Sequence, residues 1–324
     1  MLTLFCRRGG RIVEEVFKAG QPLPSGVFWI DLLEPTGAET EAVRSMIGIE
    51  VPTPEEMREI EPSSRLYREG LALVMTASVL NHTESPSPET RAITFVLSNG
   101  LMTTIRYCSP MPFKTFRNRI AAHPEFCSSS EMALVELLDT IVDRAADTLE
   151  TVDQNVGVLS KVIFAPIGSS GNGPQDYSHE LSTIGISAVR CSKVDESLVG
   201  LLRLLTFLDA NLRAAGNKDA RGRLKDVQRD IVALIGYVER QSEKLQLLLD
   251  ATLGMVNIQQ NNIIKIFSVI AVVFLPPTLV ASVYGMNFTL MPELRWHLGY
   301  PLALILMFLS AVLPFSYFKH RGWL

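Results

Sequence analysis

Residues 263–287 read IIKIFSVIAVVFLPPTLVASVYGMN, and residues 298–318 form a second apolar run. Each run, at about 20 residues, is long enough to cross a hydrocarbon core of roughly 30 Å. The connection between the runs is too short to form a domain. We therefore predict a membrane hairpin with spans at about 263–283 and 298–318 and with Gly285-Met286-Asn287 at its tip.

Composition limits the function classes. The chain has 324 residues, a formal charge of −4 and a mean hydropathy of +0.21, with the apolar excess after residue 262. This length suffices for a cytosolic domain and a small membrane unit. The acidic balance, without a basic stripe interleaved with aromatic residues, disfavours nucleic acid as a partner. The sequence has no nucleophile–base constellation and no phosphate-binding loop, so we expect neither an enzyme nor an organic cofactor.

The four cysteines and five histidines are scattered along the chain, without a Cys-x-x-Cys pair. Local spacing therefore does not indicate a His/Cys zinc site. Free thiols are typical of a reducing compartment. The N-terminus lacks the basic and then apolar pattern of a secretory signal, so nothing there directs the first 260 residues across a membrane.

The first 110 residues have the pattern of a small sheet flanked by helices, an α/β unit. Strand patterns cover residues 2–6, 11–16, 27–33, 71–80, 92–98 and 101–107. Gly9-Gly10 and Asn99-Gly100 predict hairpin turns. Thr36 and Glu39 have the spacing of a capping box at a helix start, and Thr53-Pro54-Glu55-Glu56 repeats it.

Helical periodicity begins at Glu131, runs to Leu159 and returns over residues 179–211, whereas the Gly- and Pro-rich segment 165–177 predicts a loop. After Gly216-Asn217 no proline occurs until Pro276. Apolar residues recur at helical spacing in that stretch, which predicts one helix from about residue 219 to 283. At 1.5 Å per residue it is on the order of 95 Å long. Its cytosolic part must bury an apolar stripe, and copies of the same helix would provide partners.

Flanking charges predict the topology. Lys319, His320 and Arg321 follow the second span and Lys265 lies near the start of the first, whereas Glu293 in the connection is balanced by Arg295. The positive-inside rule then places both termini in the cytoplasm and the hairpin tip outside.

One face of the first span, which we call the seam, carries polar residues through an apolar helix. Its members are Asn261, Ile264, Ser268, Ala271, Leu275, Thr278 and Ser282. A polar seam in lipid must face either a neighbouring helix or water. Helix packing and a water path both stay open at this point. A water path needs a ring of copies, because one hairpin cannot enclose it. Pro276-Pro277 predicts a kink or local unwinding in the same span.

Asn287 has chemistry suited to a strongly hydrated cation. Mg²⁺ sheds water reluctantly and prefers oxygen ligands, and a ring of amides can hydrogen-bond the water molecules of the ion. Gly285 allows a sharp turn at positive φ. The alternative is a simple helix C-cap, for which glycine followed by asparagine is common.

Several segments closely resemble the CorA family of divalent-cation channels. They are residues 276–288, Met291-Pro292-Glu293-Leu294, Asn261 with residues 263–267, and Tyr317-Phe318-Lys319 with Gly322-Trp323-Leu324. Trp29-Ile30-Asp31-Leu32 and Glu59-Ile60-Glu61 resemble the N-terminal domain of that family more loosely. The resemblance covers the whole chain, densely after Asn257 and thinly before it.

The resemblance implies an α+β membrane protein that assembles as a funnel-shaped homopentamer. An N-terminal cytosolic α/β and helical regulatory domain would cover residues 1–215, a stalk helix 216–262 and a two-helix pore domain 263–324. The protein would lie in the bacterial inner (plasma) membrane and conduct Mg²⁺ inward, with Co²⁺ and Ni²⁺ as further cargo. Its partners would be other copies of the chain, the lipid bilayer and divalent cations.

The resemblance also implies roles for individual residues. Gly285, Met286 and Asn287 match an outer selectivity ring, Asn261 an inner polar ring and Thr278 the pore lining. Ile264 and Leu275 match hydrophobic constrictions. A regulatory Mg²⁺ site is implied for Asp226 and Asp250, with Asp230 beside them, and Glu293 lies in the outer loop.

Three alternatives to these assignments stay open. Tyr67-Arg68-Glu69-Gly70 stands where some relatives have an acidic run, so the metal sensor could be weaker or lie elsewhere, and Asp226 and Asp230 could simply be a solvated helix face. A zinc transporter of the same superfamily is the second alternative, which Met286 disfavours. The third is a membrane-anchored scaffold or enzyme with the hairpin as its tether.

Overall fold

The computed structural model of the chain describes residues 1–17, 21, 23–59, 61–85, 88–165, 176–287, 291 and 296–323. These residues form two compact units. The first, which we call the sheet unit, holds the described residues up to 165 and from Ser178 to Leu249; the second, the apolar unit, consists chiefly of the described residues from Asp250 onward. The domain boundaries predicted at residues 215 and 262 stay predictions.

The sheet unit contains seven strands: β1 Leu2–Arg8, β2 Arg11–Val16, β3 Val27–Leu33, β4 Leu66–Glu69, β5 Ala72–Asn81, β6 Glu89–Ser98 and β7 Leu101–Arg106. The helices of the chain are α1 Gly37–Ile47, α2 Pro62–Arg65, α3 Met111–Ala122, α4 Ser130–Ile163, α5 Ser178–Ala215, α6 Lys218–Tyr284 and α7 Gly299–His320. Short 3₁₀ turns occupy Glu56–Arg58 and Pro124–Cys127.

The strand order is β2-β1-β3-β7-β6-β5-β4, and all neighbours are antiparallel except the parallel pair β3–β7. All six predicted strands are confirmed. Both hairpins are confirmed as well: Asn99 and Gly100 have φ of 52° and 72°, which is the conformation that a two-residue turn of this type requires. The short edge strand β4 was not predicted.

The two capping-box predictions have different outcomes. At Thr36 both reciprocal hydrogen bonds with Glu39 form, and α1 follows. At Thr53 the same pair of bonds forms with Glu56, at 2.8 and 3.3 Å, but only one 3₁₀ turn follows. The predicted helix is therefore wrong beyond its first turn. The proline at position 62 disfavours a helical conformation at Glu61, and the next helix, α2, begins only at Pro62.

A buried ion pair joins the two parallel strands at the centre of the sheet. The Arg106 guanidinium donates to both Asp31 carboxylate oxygens at 2.9 and 2.8 Å, and each side chain is only 2% exposed. Thr104 donates to the same carboxylate at 2.7 Å and accepts from the Trp29 indole at 3.0 Å. The pair bridges β3 and β7, and the hydrogen bonds to both charged groups offset part of the free energy lost when they leave water.

The helical predictions are confirmed with small shifts at the ends. Helices α4 and α5 extend the predicted ranges by a few residues, and α6 begins and ends within one residue of the prediction. Most of the loop predicted over 165–177 lies outside the described residues. Within the sheet unit α6 buries Leu224, Val227, Ile231, Val238, Leu245 and Leu248, so much of the predicted apolar stripe is covered within one chain.

Polar contacts tie the same part of α6 to α4. The Arg223 guanidinium donates to Glu136 at 3.0 Å and to Asp139 at 2.5 Å. Further along, the fully buried Gln241 side chain donates to the Asp153 carboxylate at 2.5 Å. These contacts hold the beginning of α6 on the sheet unit at two separate places.

Candidate functional site: the seam of α6

The apolar unit exposes two helical stretches that are long and apolar enough to cross a membrane. They lie in α6 and in α7, and only 6% of the most apolar window of each is buried. A core helix of a soluble protein would be mostly buried, so this exposure distinguishes them from one. Exposed apolar surface of this extent indicates lipid or other protein chains as its natural surroundings.

The seam lies opposite the covered face of α6. All seven seam residues are exposed, with Ile264 at 53% and Leu275 at 67%. The buried or half-buried positions of this stretch are Val269, Val273, Pro276, Pro277, Val280 and Tyr284. At roughly 100° per residue the centres of the two sets are about 160° apart. One chain therefore covers one face of α6 and leaves the seam without a partner.

An open groove runs along the C-terminal half of the seam. Its walls are Ala271, Phe274, Leu275, Thr278, Leu279 and Ser282. Four of these were predicted as pore-lining, whereas Phe274 and Leu279 were not, because they flank the seam instead of lying on it. The covered positions 269, 273 and 280 are all valine. Because lipid-facing positions also carry valine, the sequence could not show that this face is covered.

The seam hydroxyls use their protons within the helix. Ser268, Thr278 and Ser282 each donate to the carbonyl oxygen four residues earlier, at 2.8, 2.7 and 2.8 Å. Each hydroxyl oxygen keeps lone pairs that can accept a further hydrogen bond. Towards a ligand, these three groups therefore act as acceptors.

The two prolines lie inside an uninterrupted helix, since α6 continues to Tyr284. Of the two outcomes expected at Pro276-Pro277, local unwinding is wrong. Proline lacks the N–H group that would reach the carbonyl four residues back, so the Val272 and Val273 carbonyls lose their usual helical donors.

Gly285 follows the last helical residue, and its amide donates to the Ala281 carbonyl at 2.9 Å. The expected positive φ is not observed: Gly285 is not one of the described glycines that have a positive φ. Glycine fits here for another reason: a Cβ atom would lie 3.1 Å from the Ala281 carbonyl oxygen. Met286 and Asn287 follow and are exposed. Glu293 lies outside the described residues.

The three aspartates predicted as regulatory ligands are exposed on α6. Asp226 pairs with Arg229 at 3.1 Å, and its side chain is 52% exposed. Across the described residues, no group of three or more His, Cys, Asp or Glu side chains is placed to hold a metal ion. Asp226, Asp230 and Asp250 therefore do not form such a site within one chain, and their regulatory role stays a prediction.

Comparison with known proteins identifies the family. The sequence model of the CorA-like Mg²⁺ transporter protein family matches residues 24–320. The magnesium transport proteins CorA of Escherichia coli (strain K12) and Salmonella typhimurium (strain LT2) are each 34% identical over 324 residues, which is 100% of this chain and of each relative.

The complete structure of the CorA magnesium transporter from Methanocaldococcus jannaschii has a TM-score of 0.78 at 20% identity, and the match covers 100% of this chain and 99% of that one. At that identity the likeness concerns the fold: a soluble domain with a sheet, a long helix and two candidate transmembrane helices. The curated relatives are named for magnesium, so the zinc alternative is not favoured. The chain belongs to the family of CorA-like Mg²⁺ transporters.

Proposed function

We propose that this protein is a channel that admits Mg²⁺ through a pore formed by a ring of α6 helices. The pore is lined by the seam and ends at Gly285-Met286-Asn287. The observation that carries the proposal is the position of the seam: a face with four polar residues among apolar ones, exposed in one chain and opposite the covered face of α6. In the ring, the seams of neighbouring copies surround one axis.

Acceptor groups on the seam suit the cargo. A hydrated Mg²⁺ ion keeps its inner water molecules, and these point their hydrogens outward. The wall of a pore for such an ion must therefore accept hydrogen bonds. The oxygens of Ser268, Thr278 and Ser282 have spent their own protons on the helix backbone and can accept from the hydration shell. An amide oxygen of Asn287 in each copy does the same at the mouth.

Entry needs no energy source other than the membrane potential. A divalent cation gains about 4.6 kcal/mol on crossing an inside-negative potential of 100 mV, twice the value for a single charge. The protein lies in the bacterial inner membrane with both termini in the cytoplasm, so that potential drives Mg²⁺ inward. Co²⁺ and Ni²⁺, which carry the same charge, are further cargo of the proposed pore.

Closure is assigned to the apolar members of the seam. Rings of Ile264 and Leu275 would exclude water when narrow, and a dewetted constriction stops a hydrated ion. Cytosolic Mg²⁺ favours the closed state if it binds that state more tightly. A regulatory site at Asp226, Asp230 or Asp250 would take further ligands from a neighbouring copy, in keeping with a homopentamer.

Ion uptake into liposomes containing the purified full-length protein tests the proposal. An inside-negative potential should drive Mg²⁺ uptake well above that of empty liposomes, and Co²⁺ and Ni²⁺ should compete. Absence of Mg²⁺ uptake, in preparations where a control channel conducts, would overturn the proposal. Uptake of Zn²⁺ in preference to Mg²⁺ would assign the zinc function instead.

A further inference from the structure

The turn that follows α7 combines an ordered aromatic cluster with exposed cations. Gly322 has φ of 69°, its amide donates to the Lys319 carbonyl at 3.2 Å, and the Trp323 amide donates to the Phe318 carbonyl at 3.1 Å. This pair of bonds is the Schellman motif that closes a helix end. The turn is therefore a fixed structure, defined by its own hydrogen bonds.

The motif folds Trp323 back onto the helix. Its ring stacks on Phe318 with centroids 5.2 Å apart, and Phe318 contacts Tyr317 edge-on at 5.7 Å. The Arg321 guanidinium lies 5.7 Å from the centre of the Tyr317 ring. Tyr317 and Trp323 remain 58% and 46% exposed. Aromatic rings with an apolar body and a polar edge are favoured at the membrane–water boundary.

Three basic residues share this turn, and all are exposed: Lys319, His320 and Arg321. Within the part of the chain that the structure describes, no carboxylate pairs with any of them. Cations near a helix end are favoured by the helix dipole, but that accounts for only a few tenths to 1 kcal/mol each at an exposed site. Without a carboxylate partner among the described residues, the donor groups of Lys319 and Arg321 can bind an external anion.

We propose that the cluster of Tyr317, Phe318, Lys319, Arg321 and Trp323 is a binding surface for anionic phospholipid headgroups. Lys319 and Arg321 bind the headgroup phosphate, and the rings of Tyr317 and Trp323 lie at the level of the glycerol backbone. Charge complementarity and the apolar, exposed helix α7 that ends at this turn carry the assignment. The inference rests on the proposed topology, which places this turn at the cytoplasmic leaflet.

Direct binding is the primary test, because it does not depend on transport. In a Trp296→Phe background, with Trp29 buried in the sheet unit, Trp323 is the exposed tryptophan that reports lipid contact. Vesicles of phosphatidylcholine with a minor fraction of phosphatidylglycerol brominated on its acyl chains would quench it, and brominated phosphatidylcholine gives the reference. We expect Lys319→Gln/Arg321→Gln to lower the preference for phosphatidylglycerol by at least about fivefold, the value for one juxtamembrane cation.

The matched control removes two exposed cations of the sheet unit, Lys114→Gln/Lys161→Gln, and should leave the preference unchanged. Phe318→Leu removes the stacking partner of Trp323 and keeps both charges, so it tests the aromatic part of the surface independently of the cationic part. A preference that survives Lys319→Gln/Arg321→Gln would overturn the proposed surface.

Mg²⁺ uptake in the same vesicles distinguishes the two proposals. If the wild type conducts Mg²⁺ in these vesicles and its binding preference is absent, the lipid surface is wrong and the channel stands. If the wild type does not conduct while the quenching preference depends on Lys319 and Arg321, the lipid surface stands and the channel is wrong.

Discussion

The sheet unit and the apolar unit satisfy their side chains in opposite ways. In the sheet unit the buried charged residues Asp31, Arg106, Glu136 and Asp139 all have partners within the chain. In the apolar unit Ile264, Phe274 and Leu275 are more than half exposed. The first unit therefore pairs its buried charges within one chain, whereas the second leaves a large apolar surface uncovered, which in the proposed pore is covered by lipid and further copies. Function is accordingly expected where the single chain is incomplete.

The largest effect is expected at the mouth of the proposed pore. Asn287→Ala removes one hydrogen-bonding group from every copy in the ring. A hydrogen bond to a charged partner contributes about 1.5–3 kcal/mol, so Mg²⁺ uptake should fall by roughly ten- to hundredfold. Asn118→Ala, at an exposed position of α3 in the sheet unit, should retain wild-type uptake in liposomes. Wild-type uptake by Asn287→Ala would show that Asn287 does not select the ion.

The second prediction concerns the buried pair of the sheet unit. Arg106→Met leaves the Asp31 charge buried without its partner, which should cost about 3–5 kcal/mol of unfolding free energy. In a Trp296→Phe/Trp323→Phe background the buried Trp29 alone reports denaturant unfolding of the full-length protein. Arg91→Ala breaks the exposed pair with Glu89, whose side chains are 48% and 50% exposed, and should cost less than about 1 kcal/mol. Equal losses would show that burial does not decide the value of the pair.

The third prediction tests the apolar constriction. Leu275→Ser makes that ring polar, so water should persist in the closed pore, and Mg²⁺ leak at high internal Mg²⁺ should rise about threefold or more. The matched control is Leu306→Ser on α7, which is also exposed in one chain, at 49%. Flux through both variants is measured in liposomes loaded with Mg²⁺. A similar leak in the two variants would mean that Leu275 has no special position.

The smallest effect is expected where α6 contacts α4. The Gln241 hydrogen bond, with help from Tyr237 and Lys244, holds the pKa of Asp153 below its usual value. A lowered pKa means that the ionised Asp153 stabilises the fold above the unfolded pKa, near 3.9, and that this stabilisation disappears as the pH falls through the lower folded value.

Asp153→Asn should therefore lower the unfolding free energy at pH 7 by about 0.5–1 kcal/mol, since the carboxylate is half exposed. The difference from wild type should shrink as the pH falls below about 4. Asp230→Asn, at an exposed position of α6, should change little at any pH. A difference for Asp153→Asn that persisted at pH 2 would exclude ionisation of Asp153 as its cause.

Local signals made much of the fold predictable. Asn99-Gly100 determines its hairpin because two consecutive residues must have positive φ, and the absence of proline between residues 217 and 276 permits one long helix. The ion pair of Asp31 with Arg106 was not predictable, because the residues are 75 positions apart and meet only when β3 pairs with β7. The four-residue edge strand β4 is too short, and pairs on one side only, to show a clear alternation.

The candidate site was predictable only in part. Spacing alone identified the seam on α6, and the structure adds which face of α6 is covered. The bonds from Ser268, Thr278 and Ser282 to the backbone could not be predicted, since serine and threonine in a helix adopt more than one rotamer. A regulatory metal site cannot be predicted from the sequence of one chain, because its ligands would come from more than one chain.

Cysteine accessibility tests the proposed pore most directly. Cysteines at Ser268, Thr278 and Ser282 are compared with cysteines at Val273 and Val280 on the covered face, in liposomes treated with a membrane-impermeant cationic thiol reagent. Background reaction should be slow, because burial raises the pKa of Cys108 and Cys191 to about 11 and that of Cys127 to about 12, and it also raises the pKa of Cys6. Thiolates, the reactive form, are therefore scarce at neutral pH.

We predict that the three seam cysteines react and that their modification blocks Mg²⁺ uptake, while those at Val273 and Val280 do neither. Reaction at Val273 and Val280 with an unreactive seam would contradict the proposed pore.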